Sequence, residues 1–130
     1  MEARRSYQAA AATSWTRVDM LLLIYDNAIS ALTGGINAIA DGNQAELMHH
    51  RFKAQKAVLL LADGLDLEQG EVPQKVMQLC AFALECISGD SADDWTAARN
   101  VLNNLREAFD QIRGEANQLE ISGAITPLAV

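Results

Sequence analysis

The chain is 130 residues long, half of them hydrophobic, with a formal charge of −7 at neutral pH. The length fits one domain, and the apolar content suffices for a core, which excludes a disordered acidic tail. The acidic balance argues against general binding to nucleic acid or to anionic lipid. The longest apolar run, residues 20–25, is much shorter than the roughly 20 residues that a membrane span needs.

The first predicted helix begins near residue 16 and ends at residues 41–43. Its apolar residues alternate spacings of four and three, which is typical of a heptad seam. The seam consists of Val18, Leu22, Tyr25, Ile29, Leu32, Ile36 and Ile39. Gly34 and Gly35 interrupt it, and they predict either a kink or the close approach of another backbone.

Three more helices are predicted after the first. The second spans residues 44–65, with an apolar stripe of Leu47, Ala54, Val58, Leu61 and Leu65, widened by Met48, Phe52 and Leu59. A loop at 66–72 precedes the third helix, which has Pro73 in its first turn and ends at 88–90. The apolar residues of this helix are Val76, Leu79, Cys80, Ala83, Leu84 and Ile87. Ser91 caps the fourth, whose seam is Trp95, Ala98, Leu102, Leu105, Phe109, Ile112 and Ala116.

Short connections between four amphipathic helices predict an all-α fold. We expect an antiparallel up-down-up-down four-helix bundle over residues 16–119. Residues 1–15 are predicted to form a loosely held N-terminal cap segment, and residues 120–130 an apolar C-terminal tail.

The two cysteines, Cys80 and Cys86, lie in the third predicted helix. Their spacing turns them about 240° apart on the helix surface, which forbids a disulfide between them. Reduced, buried thiols in a cytoplasmic protein are the simplest interpretation. The N-terminal residues carry no convincing secretory signal, which agrees with a cytoplasmic location.

Glu46 and His49 form the Glu-x-x-His pattern that supplies half of a di-iron site in helical bundles. No histidine follows position 50, so the second half of such a site is missing. We therefore interpret both side chains as part of a solvated polar face and predict no metal, no cofactor and no catalytic residue. The small basic cluster of Arg51, Lys53 and Lys56 is likewise interpreted as a solvated face rather than an anion site.

Several segments together resemble the FliS family of flagellar export chaperones. Residues 20–29 are similar to the family helix "LllmLYdgAi", and Tyr7 stands where the family carries an N-terminal tyrosine. Residues 53–61 resemble "KAxxIIxxL", residues 65–70 the loop "LDxexGG", and residues 105–109 the closing "LReaW". The likeness extends over about residues 7–113, and its specificity comes from the order and spacing of the segments.

The chain departs from the family pattern at three places. Residues 14–17 occupy the family's Thr-x-Ser-Pro cap, with Arg17 in place of the proline. Glu71 replaces the second glycine of the loop. Residues 79–87 lack the tyrosine, aspartate and arginines of the family's "LYdymirrL", which points to a divergent member or a changed client.

The resemblance implies a cytoplasmic chaperone that binds the disordered C-terminal segment of newly made flagellin. Such a protein prevents premature polymerisation and assists type III export. By family position, the client-binding residues are expected to be Tyr7, Tyr25, Asp26, Ile29 and Leu65. The heptad seam equally permits an internal role for Tyr25.

The resemblance leaves two partners open: the flagellar export gate, and a second copy of the chain in a homodimer. It also implies that the N-terminal segment around Tyr7 lies on the client site and gives way to the client. The alternative function is a self-associating helical-bundle interaction module with another client.

Overall fold

The computed structural model describes the backbone of residues 17–121 and the side chains of residues 19–111. It contains α1 (Arg17–Asp41), α2 (Gln44–Asp63), a 3₁₀ turn (Leu67–Gln69), α3 (Glu71–Cys86) and α4 (Ala92–Ile121), with no strand in the described range. The predicted all-α four-helix bundle is thus confirmed. Our expectations for residues 1–15, including Tyr7, and for the tail beyond Ile121 lie outside the described residues.

The helix ends follow local signals in the sequence. Gly42 turns the chain with φ of 65°, and the Asn43 side chain accepts a hydrogen bond of 3.1 Å from the backbone N–H of Glu46. The Ser91 hydroxyl accepts one of 3.4 Å from the N–H of Asp94. α3 begins at Glu71, inside the predicted loop, so that loop is shorter than expected.

Each helix packs against two neighbours, because α1 contacts α2 and α4, and α3 contacts the same two helices. Side-chain contacts between α1 and α4 join Thr33 to Arg99 and Asp26 to Arg106. The residue numbers rise along α4 as they fall along α1, so these two helices run in opposite directions.

The core contains members of all four predicted apolar stripes. Its largest fully buried side chains are Trp95, Tyr25, Leu32, Leu47, Ile87, Leu102, Val58 and Cys80. α1 also buries four small residues outside its predicted seam, namely Ala28, Ala31, Gly35 and Ala38. The buried face of α1 is wider than a heptad seam because the helix contacts two neighbours. The side chains of Ile112 and Ala116 lie outside the described residues.

The predicted widening of the buried face of α2 was wrong. Met48, Phe52 and Leu59 are 66%, 66% and 55% exposed. α2 packs through its other side, where Leu47, Ala54, Ala57, Val58 and Leu61 are buried. Apolar residues therefore occur on two faces of α2, and the described neighbours cover one of them.

The two glycines of α1 accommodate aromatic side chains, and neither a backbone approach nor a helix break is present. α1 continues through both positions. A Cβ atom on Gly35 would lie within 2.8 Å of three ring atoms of Trp95, and one on Gly34 within 2.7 Å of three ring atoms of His50. The prediction of a kink or of a close backbone approach was thus wrong, because the space at both glycines is taken by side chains.

Arg51 holds the connection between α3 and α4. Its guanidinium donates hydrogen bonds of 2.8 Å to the carbonyl of Ile87 and 2.9 Å to that of Gly89, and it pairs with Asp90. It also lies 5.8 Å from the ring centroid of Trp95, whose indole N–H donates to the Gly89 carbonyl at 2.9 Å. The interpretation of Arg51 as part of a solvated face was therefore wrong, because its half-buried guanidinium binds the α3–α4 connection. No local sequence pattern indicated this contact, since the acceptors lie far away in the sequence.

Both cysteines are free and buried, which confirms the prediction of two unbridged thiols. Burial raises the pKa of the Cys80 thiol. Burial, followed by the negative charges of Asp94 and Glu85, raises the pKa of Cys86. Both groups therefore remain protonated thiols at neutral pH, which makes them poor nucleophiles.

The two glycines provide a matched test of the packing. Gly35→Ala should lower the free energy of unfolding by about 1–3 kcal/mol, because the buried Trp95 ring has no room to move. Gly34→Ala should be neutral or stabilise by up to about 1 kcal/mol, since alanine favours helix and the partly exposed His50 ring can rotate outward. Urea denaturation of both variants measures the difference. Equal effects at the two positions would contradict the packing described.

Candidate partner-binding surface

An open groove of about 460 Å³ lies between α1 and α2. We call it the α1/α2 groove, and it is lined by Asn27, Ser30, Ala31, His50, Phe52, Lys53, Lys56, Ala57 and Leu60. The small side chains of Ala31 and Ala57 are buried at its floor, and their size leaves the space open. Concave, partly apolar surfaces of this kind are typical of binding sites for partner helices.

The outer face of α2 carries a row of exposed apolar side chains beside this groove. We call it the α2 stripe, and it consists of Met48, Phe52, Leu59 and Leu60, each more than half exposed. Phe52, Leu59 and Leu60 also line a second recess of about 480 Å³ together with Gln55, Lys56 and Asp63. Contiguous exposed apolar surface on a small protein marks an interaction site.

Tyr25, a predicted client-binding residue, lies in the core. Its side chain is 1% exposed and packs on Phe109, with 5.6 Å between the ring centroids. Burial raises the pKa of the Tyr25 hydroxyl, and the nearby Cys80 adds a smaller effect in the same direction. Tyr25 is therefore a core residue between α1 and α4 and is not accessible to a client from solvent.

The other predicted residues lie on two separate parts of the surface. Asp26 is exposed and accepts a hydrogen bond of 2.5 Å from the Arg106 guanidinium. Ile29 is half-buried and follows Asp26 by three residues, which places it on the α4 side of α1. Leu65 is half-buried in the connection after α2 and packs against the core. Tyr25, Asp26 and Ile29 thus share one side of α1, while Asn27 and Ser30 face the α1/α2 groove.

Sequence reasoning missed two features of this surface. The first is the pair between Asp26 and Arg106, although each residue belongs to a segment that resembles the family. The second is the α1/α2 groove, because Met48, Phe52 and Leu59 were assigned to the buried face of α2. The sequence did contain a signal for the stripe, because α2 has more apolar residues than a single buried helix face can hold.

The Glu-x-x-His pattern lies at the start of α2 in an exposed position. Glu46 and His49 are both exposed, and the Glu46 carboxylate lies 3.4 Å from Nε2 of His50 instead. The Nδ1 atom of His50 is buried and has no hydrogen-bond partner among the described residues. The described part of the chain has no group of three or more histidine, cysteine or acidic side chains arranged to hold a metal.

Glu46→Ala and His49→Ala test the interpretation of these residues as a solvated face. Each substitution should change the free energy of unfolding by less than about 1 kcal/mol, since both side chains are exposed. Metal analysis of the purified wild-type protein should find no stoichiometric ion. Iron or zinc present in the wild type and lost in both variants would contradict the prediction.

Comparisons with known proteins identify the family of the chain. Within the described residues, no helix is long and apolar enough to cross a membrane. No curated protein and no solved structure gives a significant match. The model of the family described as flagellar protein FliS, however, matches residues 1–116, which is most of the 130-residue chain. The chain therefore belongs to the FliS family of flagellar export chaperones.

Proposed function

We propose that this chain is a cytoplasmic chaperone that binds the disordered C-terminal segment of flagellin, prevents its premature polymerisation and assists its type III export. Membership of the FliS family supports this activity. The structural observation that carries the proposal is the α2 stripe beside the α1/α2 groove. The proposal includes no catalysis, no metal and no cofactor.

The stripe and the groove suit an amphipathic segment that becomes helical when it binds. Flagellin's terminal segments pair as helices in the filament, so their apolar faces must be covered before assembly. A surface that binds those faces blocks polymerisation by occupying them. Ordering the segment costs part of the binding free energy, which keeps the complex reversible and allows release for export.

The residues expected from the family remain part of the proposal with distinct roles. Asp26 and Ile29 offer a second contact area on the α4 side of α1, and Leu65 one beyond the end of α2. Tyr25 contributes indirectly, because its buried ring packs on Phe109 of α4 and so holds the part of α1 that carries Asp26 in place. A disordered client can reach separate areas of this kind, since an extended chain wraps large surfaces.

Self-association is the alternative, because a second copy of the chain would also cover the α2 stripe. Gel filtration with light scattering separates the two functions. A monomer that forms a one-to-one complex with a flagellin C-terminal peptide supports the chaperone. A stable dimer that buries the stripe and binds no flagellin peptide would overturn it. The export gate remains a further proposed partner.

Phe52→Ala should reduce affinity for a flagellin C-terminal peptide by about tenfold or more, because an exposed aromatic ring in the stripe is a strong candidate anchor. The side chain is 66% exposed, so the melting temperature should stay nearly unchanged. Phe82→Ala is the matched control, since Phe82 is an exposed phenylalanine on α3. Isothermal titration calorimetry on both variants gives the affinities. Equal losses in the two variants would place the client elsewhere.

Deletion of residues 1–12 tests the N-terminal segment as a gate. If Tyr7 and its neighbours compete with the client, the truncated chain should remain folded, bind the peptide as tightly or more tightly, and associate faster. Calorimetry, stopped-flow fluorescence and the melting temperature measure these three effects. A large fall in both stability and affinity would show that the segment is a permanent part of the bundle.

A further inference from the structure

The α1/α2 groove has a charge opposite to that of the protein as a whole. The chain contains 17 acidic residues against 10 lysines and arginines, and no acidic residue of the described part lines the groove. Lys53 and Lys56 line it together with His50, whose Nε2 atom lies 3.4 Å from the Glu46 carboxylate, so the positive charge of the groove comes from the two lysines. Both lysines are exposed, and neither forms an ion pair within the described part of the chain. The groove is thus a local positive site on an acidic protein.

The two groove lysines lie on the same face of α2 as an apolar side chain. Lys53, Lys56 and Leu60 follow each other at spacings of three and four, so they lie on one face of α2. Across the groove, α1 presents the neutral polar side chains of Asn27 and Ser30. One wall therefore carries ammonium groups next to apolar side chains, and the other wall carries hydrogen-bonding groups without charge.

We propose that the occupant of the α1/α2 groove is an amphipathic helix with carboxylate side chains beside its apolar positions. Its apolar residues contact Phe52 and Leu60, while its aspartate or glutamate residues pair with Lys53 and Lys56. This inference rests on the proposed function and specifies the part of the client that this groove binds. It excludes a basic helix, which the lysines repel.

The same charges argue against the chain's own N-terminal segment as the occupant. Residues 1–15 contain Arg4 and Arg5 against one acidic residue, Glu2. A basic segment gains nothing from Lys53 and Lys56.

The lysines contribute mainly to specificity and association rate. Exposed ion pairs are weak, so each lysine should change affinity by about twofold to fivefold, less than the loss expected at Phe52. Salt screens such pairs, whereas it leaves apolar burial intact. Apolar contacts alone predict little salt dependence, and the two lysines add a moderate salt-dependent part.

Two designed helical peptides test the proposal directly. They share one set of apolar residues, and the flanking positions are glutamate in the first and lysine in the second. The net charge of −7 favours the lysine peptide, so tighter binding of the glutamate peptide requires a local positive site. We expect the glutamate peptide to bind about fivefold or more tightly at low salt. Equal binding, or a preference for lysine, would overturn the proposal.

Three single charge reversals locate the effect. Lys53→Glu, Lys56→Glu and Lys75→Glu change the net charge equally, and Lys75 is an exposed lysine on α3 outside the groove. The first two variants should lose the preference for the glutamate peptide, and the third should keep it. An equal loss in all three would indicate a general charge effect. Melting temperatures show whether each variant is folded.

A flagellin C-terminal peptide separates this inference from the proposed function. If it fails to bind the wild-type chain, the proposed function fails, whatever the designed peptides do. If it binds with equal affinity to all three variants, the chaperone function stands and this inference fails. A flagellin peptide with its acidic residues replaced by glutamine should bind Lys56→Glu and the wild type about equally.

Discussion

The contact between the Trp95 ring and the backbone of α1 at Gly35 organises the bundle. A ring that large reaches α1 because position 35 has no side chain. The same indole donates a hydrogen bond to the carbonyl of Gly89 and contacts Arg51 from α2. Arg51 in turn binds the Ile87 carbonyl. One aromatic side chain of α4 therefore contacts α1, α2 and the α3–α4 connection.

This arrangement determines which surface of α2 remains free. α1 and α3 take the side of α2 that contains Leu47 and Val58, and Arg51 holds the end of α3 close. The opposite side, with Phe52 and Leu59, stays more than half exposed, because no described helix covers it. The small side chain of Ala31 then leaves the α1/α2 groove open along the same edge. Tight packing at one end of the bundle and an open groove beside it follow from the same distribution of small residues.

The sequence predicted the fold well because the seams of α1 and α4 are periodic, and residues such as Leu32 and Leu102 proved fully buried. It failed on α2, which has apolar residues on two faces. Which face is buried depends on where the other helices pack, and the sequence of α2 alone does not show this. It also failed on Arg51, whose partners lie 36 or more positions away and leave no local pattern. The family resemblance placed Tyr25 among the client-binding residues, whereas its ring lies in the core, and periodicity alone could not separate a core ring from a contact ring.

The exposed apolar stripe lies on a protein whose surface is strongly acidic as a whole. Exposed side chains such as Phe52 and Leu59 favour association with any apolar partner, including another copy. The net charge of −7 opposes association between copies, because like-charged molecules repel each other. Lys53 and Lys56 lie in the groove beside the stripe, and under our proposal a partner with carboxylates beside its apolar face gains from both features. In the function proposed here, repulsion between copies and selection of a client depend on the same asymmetry of charge.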